Sequence, residues 1–258
     1  MMKKEVVSVV KVGVLALLVM CLLFVVSCKK SEPSDSTEGS GQQGGEVTTD
    51  SGETAAPADE NWVPIDIVLP RPMFVGTPKP ARVPNLEKPL GKDRPPFPAP
   101  EGVTNVASGK PVTSTDPEPI IGDLEMITDG DKEAADGSYV EFGPMKQSIT
   151  VDLGADYEIY AILFWHYHKE GLVYFDVVAQ VASDPDFITN VHTLFNNDDD
   201  NSSGLGKGDD MHYVETNEGR LVDAKGVKGR YVRLHSNGNN ANEYNHYIEV
   251  EVFGRAVK

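Results

Sequence analysis

The chain has 258 residues and a formal net charge of −17, with 40 acidic against 23 basic residues. This balance argues against DNA, RNA and anionic lipid as partners, because binding to phosphate groups requires a basic surface. The two cysteines, Cys21 and Cys28, both lie near the N-terminus, so no disulfide can cross-link the rest of the chain. The core must therefore be stabilised by burial of apolar surface, with or without a metal ion.

Residues 1–27 have the features of an export signal. Lysines precede the apolar run Val12–Val26, which is shorter than the roughly 20 residues that a spanning helix needs. The run ends in Val25-Val26-Ser27-Cys28, which resembles a bacterial lipobox. This resemblance implies acylation of Cys28 and a lipoprotein of the bacterial cell envelope, on the outer membrane if the host is Gram-negative. The alternatives are a plain secretory signal and an uncleaved anchor.

Two segments of different character follow the signal. Residues 28–60 are rich in Ser, Gly, Thr, Glu and Pro without hydrophobic periodicity, which is typical of a disordered tether. Residues 61–102 are rich in proline but also contain large apolar side chains such as Trp62, Ile67 and Phe97. Because proline excludes helix and central strand, we expect an extended collar that packs partly against the next domain. The alternative is a docking strip for another protein.

From Val103 onwards the chain consists of short alternating apolar runs bounded by Gly, Asp or Asn. Val232 and Leu234 alternate with polar residues, and Val250 and Val252 alternate with Glu249 and its neighbours, which is typical of strands with one face on a core. No amphipathic helix longer than about two turns is evident. The pattern predicts an all-β domain, either a sandwich or a barrel.

Six segments carry a family resemblance. In order they are NVASGKPVTS, ITDGD, ITVDLG…YEIYAILFW, FDVVAQVASDPDF, GRYVRLHSNG and YIEVEVFG. Together they resemble the discoidin family, the coagulation-factor C-type domains, over residues 103–256. The resemblance implies a galactose-binding-like jelly-roll β-sandwich. The cysteine pair of the animal members is missing, which fits the bacterial branch with its many carbohydrate-binding modules.

The resemblance also implies a structural Ca²⁺ ion. In the resembling modules an Asp-Gly-Asn/Asp turn and a downstream hydroxyl group meet a glutamate on the last strand. The matching residues here are Asp129, Asp131, Ser138 and Glu249, with Asp131 contributing its backbone carbonyl. Tyr139 stands at the position where the family has a tryptophan. The alternative interpretation is a turn whose Asp side chains bond backbone N–H groups.

A second acidic stretch, Asn196–Asp210, has a spacing that resembles an EF-hand loop. The matching positions are Asp199, Asn201, Ser203, Gly204 and Asp210. Gly206 occupies the position that is usually apolar, and no helix pattern flanks the stretch. A long solvated hairpin loop is therefore favoured over a second Ca²⁺ site.

The segment Trp165–Glu170 follows a strand pattern and contains two histidines. If the strand continues, alternation places His166 and His168 on one side. With Glu170 they form a His-x-His-x-Glu set that suits Zn²⁺ or Fe²⁺, although no later histidine motif of the cupin type follows. The other interpretations are a sugar site, with aromatic stacking and polar bonds to hydroxyls, and histidines that simply bond the Asn-rich loop. The predicted carbohydrate-binding residues are His166, Tyr167, His168, Tyr244, Asn245 and His246.

Enzyme motifs are missing from the sequence: it contains neither a GxSxG elbow nor a glycine-rich phosphate cradle. The predicted function is a surface-anchored lipoprotein whose discoidin-like domain binds a glycan or glycoconjugate without catalysis. One alternative is an adhesion or assembly module that binds a protein partner. The other is a metal-dependent enzyme that uses His166 and His168.

Overall fold

The computed structural model describes residues 61–73 and 80–257. Within them the chain forms antiparallel strands and a short 3-10 helix at Leu124–Thr128, which confirms the predicted all-β class. The strands are β1 (Trp62–Pro64), β2 (Pro98–Pro100), β3 (Thr104–Asn105), β4 (Val112–Ser114), β5 (Val140–Phe142), β6 (Gln147–Trp165), β7 (Val178–Ala182), β8 (His192–Asn196), β9 (Arg220–Ser236), β10 (Asn245–Tyr247) and β11 (Glu249–Ala256).

Some predictions fall on residues that the structure does not describe. The export signal at residues 1–27, the lipidation site Cys28 and the tether at residues 28–60 all lie outside the described residues. Within the described part of the chain, no helix is long and apolar enough to span a membrane.

The sandwich is organised around its two long strands, β6 and β9, which are antiparallel and change register together after Asp152. The first half of β6 pairs with β4 and its second half pairs with β11, while the second half of β9 pairs with β7. Ile149 and Val151 from the first half of β6 share one core cluster with Ile162 and Phe164 from the second half. The sheet therefore folds over on itself into two layers with the main core between them.

Strand alternation places the expected side chains in that core. Val232, Leu234, Val250 and Val252 are all buried and belong to the main cluster. Burial of each such side chain contributes about 1.5–3 kcal/mol to stability. The prediction that these strands bury one face on a core is confirmed.

The collar covers the opposite face of β6 and β11. Leu163, Trp165 and Phe253 point away from the main core, yet they are buried in a second apolar cluster. The collar side chains that pack against this cluster are Ile65, Ile67, Met73 and Phe97. Backbone bonds hold the collar in place, because β1 pairs with β2 and Ile65 N–H donates to Phe97 O at 2.9 Å. Because β6 is covered on both faces, it carries apolar side chains on both faces, as a strand in the middle layer of a three-layer protein does.

Candidate functional site

His166 lies in the main core rather than on the surface. It comes two residues after Phe164 and so continues the inward face of β6. Its ring stacks on Tyr174 with centroids 4.2 Å apart, and its backbone N–H donates to Glu215 Oε1 at 3.1 Å. The side chain is fully buried, so a sugar cannot contact His166 in this structure.

His168 and Asn245 are interior residues as well. The Nε2 atom of His168 lies 3.0 Å from the carbonyl oxygen of Lys132. The side-chain amide of Asn245 donates to the carbonyls of Gly143 and Met145, and both His168 and Asn245 are fully buried. These two predicted sugar contacts instead hold neighbouring loops together.

The predicted metal set of His166, His168 and Glu170 is not assembled. Each histidine has separate neighbours, and Glu170 is exposed. In residues 61–73 and 80–257, the group of acidic or histidine side chains whose ligand atoms converge within 4.8 Å comprises Asp176, Asp198 and Asp200. The structure therefore gives no support to an enzyme that uses His166 and His168 as ligands.

Tyr139, Tyr167 and His246 form an aromatic patch that we call the tyrosine surface. The rings of Tyr139 and Tyr167 have centroids 4.8 Å apart, and His246 lies 5.8 Å from the first and 5.9 Å from the second. Tyr139 precedes β5, Tyr167 follows β6, and His246 lies in β10, which pairs with β5. Both tyrosines are half-buried, so part of each ring remains accessible.

Hydrogen bonds hold the histidine of this surface. His246 Nε2 lies 3.0 Å from Glu141 Oε2, and His246 Nδ1 lies 2.9 Å from the hydroxyl of Tyr174. Burial lowers the pKa of His246, and the bond to Glu141 opposes that effect. With both ring nitrogens bonded, His246 serves as a rigid support beneath the two tyrosines.

Charged side chains border the tyrosine surface. Lys169 Nζ lies 2.6 Å from Asp136 Oδ1, and this bond raises the pKa of Lys169. Burial raises the pKa of Tyr139, with smaller contributions from Glu141 and Asp136, and burial also raises the pKa of Tyr167. Both phenols therefore stay protonated at neutral pH and can donate and accept hydrogen bonds.

Tyr139 was not among the predicted binding residues, whereas Tyr167 and His246 were. The signal that pointed to it was positional, because Tyr139 stands where the resembling family has a tryptophan. The neighbouring Asp136 and Lys169 carried no signal of their own, because ion pairs between residues 33 positions apart depend on the tertiary structure.

The Asn-rich loop bonds mainly to itself. The side chain of Asn239 accepts the N–H groups of Ala241 and Asn242 and donates to the carbonyl of Tyr244. Tyr244 is 40% exposed at the end of this loop. The amide groups predicted to face a ligand are therefore largely occupied in shaping the loop, and Tyr244 is left as its exposed aromatic residue.

The turn at Asp129–Asp131 meets the last strand as the resemblance implies. Glu249 Oε2 accepts the N–H of Gly130 at 3.0 Å, while its Oε1 atom is buried and has no hydrogen-bond partner. Burial raises the pKa of Glu249 to about 8, and the nearby charges of Glu251 and Asp129 act in the same direction. A buried carboxylate with an unpartnered oxygen suits a cation.

The other predicted calcium ligands are placed differently. Asp129 Oδ1 accepts the N–H of Asp131 at 2.8 Å, and Asp131 Oδ1 accepts the N–H of Glu133 at 3.0 Å. Ser138 lies in a separate turn, where its N–H donates to Ala135 O. Among the hydrogen bonds of the described residues, none joins Ser138 to Glu249. The side chains of the two aspartates thus accept backbone N–H groups within their own turn.

The stretch Asn196–Asp210 is built around Asp198 rather than the EF-hand positions. Asp198 is buried and accepts N–H groups from Asn201 and Ser203. Burial raises the pKa of Asp198, but these hydrogen bonds lower it by a larger amount in total. The pKa of Asp198 is therefore lowered from its usual value. Asp210 accepts the N–H of Asn196 at 2.7 Å, while Asp199 faces His212 at 3.9 Å. The predicted set of calcium ligands is therefore dispersed along a loop that its own side chains organise.

Among known proteins, the chain is similar to several solved structures. No family model and no curated protein matches the chain. CBM32 of AlyQ, in complex with 4,5-unsaturated mannuronic acid, is 20% identical with a TM-score of 0.41, and the match covers 55% of this chain and 93% of that one. A fucose-binding module from Streptococcus pneumoniae is 16% identical with a TM-score of 0.40, covering 60% of this chain and 99% of the module.

The same similarity extends to part of a larger protein. A family 89 glycoside hydrolase from Clostridium perfringens is 20% identical with a TM-score of 0.43, and the match covers 59% of this chain. The chain spans only 15% of that enzyme's length. The two smaller matches, CBM32 of AlyQ and the fucose-binding module, are carbohydrate-binding modules and are covered over almost their whole length. Similarity at this level does not determine what this chain binds, so its function rests on its own residues.

Proposed function

We propose that the described domain binds carbohydrate without catalysis and that the tyrosine surface is its sugar contact. The observation that carries this proposal is the pair of half-buried rings, Tyr139 and Tyr167, with centroids 4.8 Å apart. Aromatic rings stack on the apolar face of a pyranose, while polar groups at their edge bond its hydroxyls. Lys169, Asp136 and Glu141 supply such groups around the rings.

The charges at the rim indicate the class of sugar. Asp136, Glu141 and the exposed Glu170 are acidic, and Lys169 is the cation of the rim, already paired with Asp136. Carboxylates accept hydrogen bonds from sugar hydroxyls but repel uronic and sialic acids. We therefore expect a neutral hexose or an amino sugar.

Replacement of Tyr167 by alanine is expected to weaken sugar binding at least about tenfold, or about 1.4 kcal/mol, because a stacking ring is lost. Tyr244→Ala is the matched control, since Tyr244 is the exposed tyrosine of the Asn-rich loop. A glycan array at fixed calcium identifies the sugar, and calorimetry with that sugar compares the variants. Loss of binding in Tyr244→Ala but not in Tyr167→Ala would refute the site. Binding to no glycan, with capture of one protein, would favour the adhesion alternative.

We also propose that Glu249 and the backbone of the Asp129–Asp131 turn hold a structural Ca²⁺ ion. Its support is the buried, unpartnered Oε1 atom of Glu249 beside a turn that bonds the same carboxylate. Ca²⁺ coordinates carboxylate and carbonyl oxygens from flexible turns, and Glu249 with the turn offers both kinds. The ion would tie the turn before β5 to the start of β11.

Chelation with EDTA is expected to lower the melting temperature of the wild-type protein by about 5–10 °C, since an ion at 100 times its Kd adds about 2.7 kcal/mol. Glu249→Gln cannot supply a carboxylate ligand to the ion, so its melting temperature should not respond to EDTA. Asp209→Asn, at an exposed acidic residue, should respond like the wild type. An unchanged wild-type melting temperature after chelation would rule out the metal.

We further propose that Cys28, which lies outside the described residues, anchors the protein to the bacterial envelope. The support is the lipobox-like sequence that ends at this cysteine. Labelled palmitate should be incorporated into the wild-type protein and not into Cys28→Ser. Equal labelling of both proteins would disprove the anchor.

A further inference from the structure

Part of the collar forms an arch over the segment that leads into β9. We define the arch as residues 80–94. At its first contact with the domain, Glu87 N–H donates to His212 O at 2.8 Å, and His212 N–H donates to Asn85 O at 3.0 Å. At its second contact, the guanidinium of Arg94 donates to the carbonyls of Glu218 at 2.8 Å and Gly219 at 3.2 Å. These two sets of hydrogen bonds fix the arch to the domain on either side of the space beneath it.

That space is a cavity of about 860 Å³, within the size range of small-molecule sites. Leu86, Pro89 and Leu90 line it from the arch, and Val214 and Leu221 line it from the domain. The cavity lies outside the tyrosine surface and shares none of its residues. Its walls suit the apolar part of a ligand.

The polar groups of the cavity are mainly basic. Lys88, Lys92, Arg94 and Arg220 line it, against Glu87 and Glu218. The chain as a whole carries a net charge of −17, so this basic lining runs against its general character. Lys88 and Lys92 are exposed, and neither has an ion pair among those of the described residues. An anion entering the cavity would therefore meet cations that are free to pair with it.

Arg220 contributes a positive charge to the wall of the cavity. Its guanidinium packs on the rings of Phe195 and Tyr213, at 4.5 and 4.7 Å from their centroids, and its Nη1 atom lies 3.0 Å from Glu87 Oε1. Its Nε atom is buried and has no hydrogen-bond partner. An anion in the cavity would therefore meet the charge of this guanidinium rather than its Nε–H group.

Arg94 adds to the same preference. Burial lowers the pKa of Arg94, the negative charge of Glu218 raises it, and the positive charge of Arg220 lowers it. An anion between the arch and the domain would stabilise the charged form of both guanidinium groups.

We propose that this cavity binds an organic anion with an apolar body, such as a medium-chain carboxylate. The carboxylate would pair with Lys88 and Lys92, and the charges of Arg94 and Arg220 in the wall would add to its attraction. The chain of the ligand would lie against Leu86, Leu90 and Leu221. This site is separate from the proposed sugar site and does not depend on it.

Decanoate tests the proposal on the full chain. Calorimetry should show one decanoate per chain, with affinity that falls as salt is added, because exposed charges are screened. Decanol and decyltrimethylammonium, which have the same apolar body without the negative charge, should bind at least about tenfold more weakly. Equal affinity for the three ligands, or no binding of decanoate, would overturn the proposal.

Two sets of variants locate the site. Lys88→Gln/Lys92→Gln changes exposed side chains only and should weaken decanoate binding severalfold at low salt. Lys207→Gln/Lys225→Gln removes the same charge from exposed positions outside the cavity lining and should leave binding unchanged. Equal loss in both lysine pairs, or unchanged affinity in Lys88→Gln/Lys92→Gln, would show that the anion does not bind there.

Discussion

A chain that begins at residue 103 is expected to lose most of the folding stability of a chain that begins at residue 61. Removal of the collar exposes Leu163, Trp165 and Phe253, which are buried beneath it. Exposure of each such side chain costs about 1.5–3 kcal/mol, against a total stability of about 5–15 kcal/mol for a typical domain. The shorter chain is also expected to aggregate, because these side chains would form a contiguous apolar patch.

Urea unfolding of the two chains measures the effect directly. Phe97→Ala provides a milder version of the same test and should cost about 2 kcal/mol, because Phe97 is half-buried against the second cluster. Val68→Ala is its control, since Val68 is 68% exposed in the same collar and should cost less than about 0.5 kcal/mol. Equal stability of the chains that begin at 61 and 103 would show that the collar is not part of the folded unit.

Acid is expected to remove about 3 kcal/mol of stability through His235 alone as the pH falls from about 6.5 to about 4. Burial lowers the pKa of His235 to about 4, with further lowering by the charges of Arg233 and Lys146. Between these pH values the unfolded chain binds a proton at His235 and the native chain does not. Stability therefore decreases as the pH falls through this window and is fully retained above about 6.5.

Replacement of the buried ring tests this account. His235→Leu should reduce the loss of unfolding free energy between pH 7 and pH 4 by about 3 kcal/mol, because no proton is then taken up at this position on unfolding. His192→Gln is the matched control, because His192 is exposed and should leave the pH dependence unchanged. The same pH dependence in His235→Leu as in the wild-type protein would exclude His235 as the source of acid sensitivity.

The alternation of apolar residues was sufficient to predict the strands and one of their faces. Val232, Leu234, Val250 and Val252 lie in the core because period-two patterns are local to a strand. The same pattern did not show that Phe253, on the other face of β11, is buried under the collar. That burial depends on side chains such as Ile65 and Phe97, which are far away in sequence.

The predicted binding residues fall into an accessible group and an interior group, for a related reason. Tyr167 and His246 reach the tyrosine surface, whereas His166, His168 and Asn245 lie in the interior. Polarity predicted exposure for all of them. Burial nevertheless occurs where the structure supplies partners, as Tyr174 does for His166 and the carbonyl of Gly143 does for Asn245.

The sequence by itself determined the all-β class, the inward faces of the main strands and the meeting of Glu249 with the turn around Gly130. These features follow from local alternation, from turn residues and from the family resemblance. Only the tertiary structure decided that the collar forms a third layer, that Tyr139 joins Tyr167, and that an arch encloses a basic cavity. Each of these depends on contacts between segments distant in the chain, whose free energy is set by packing rather than by local pattern.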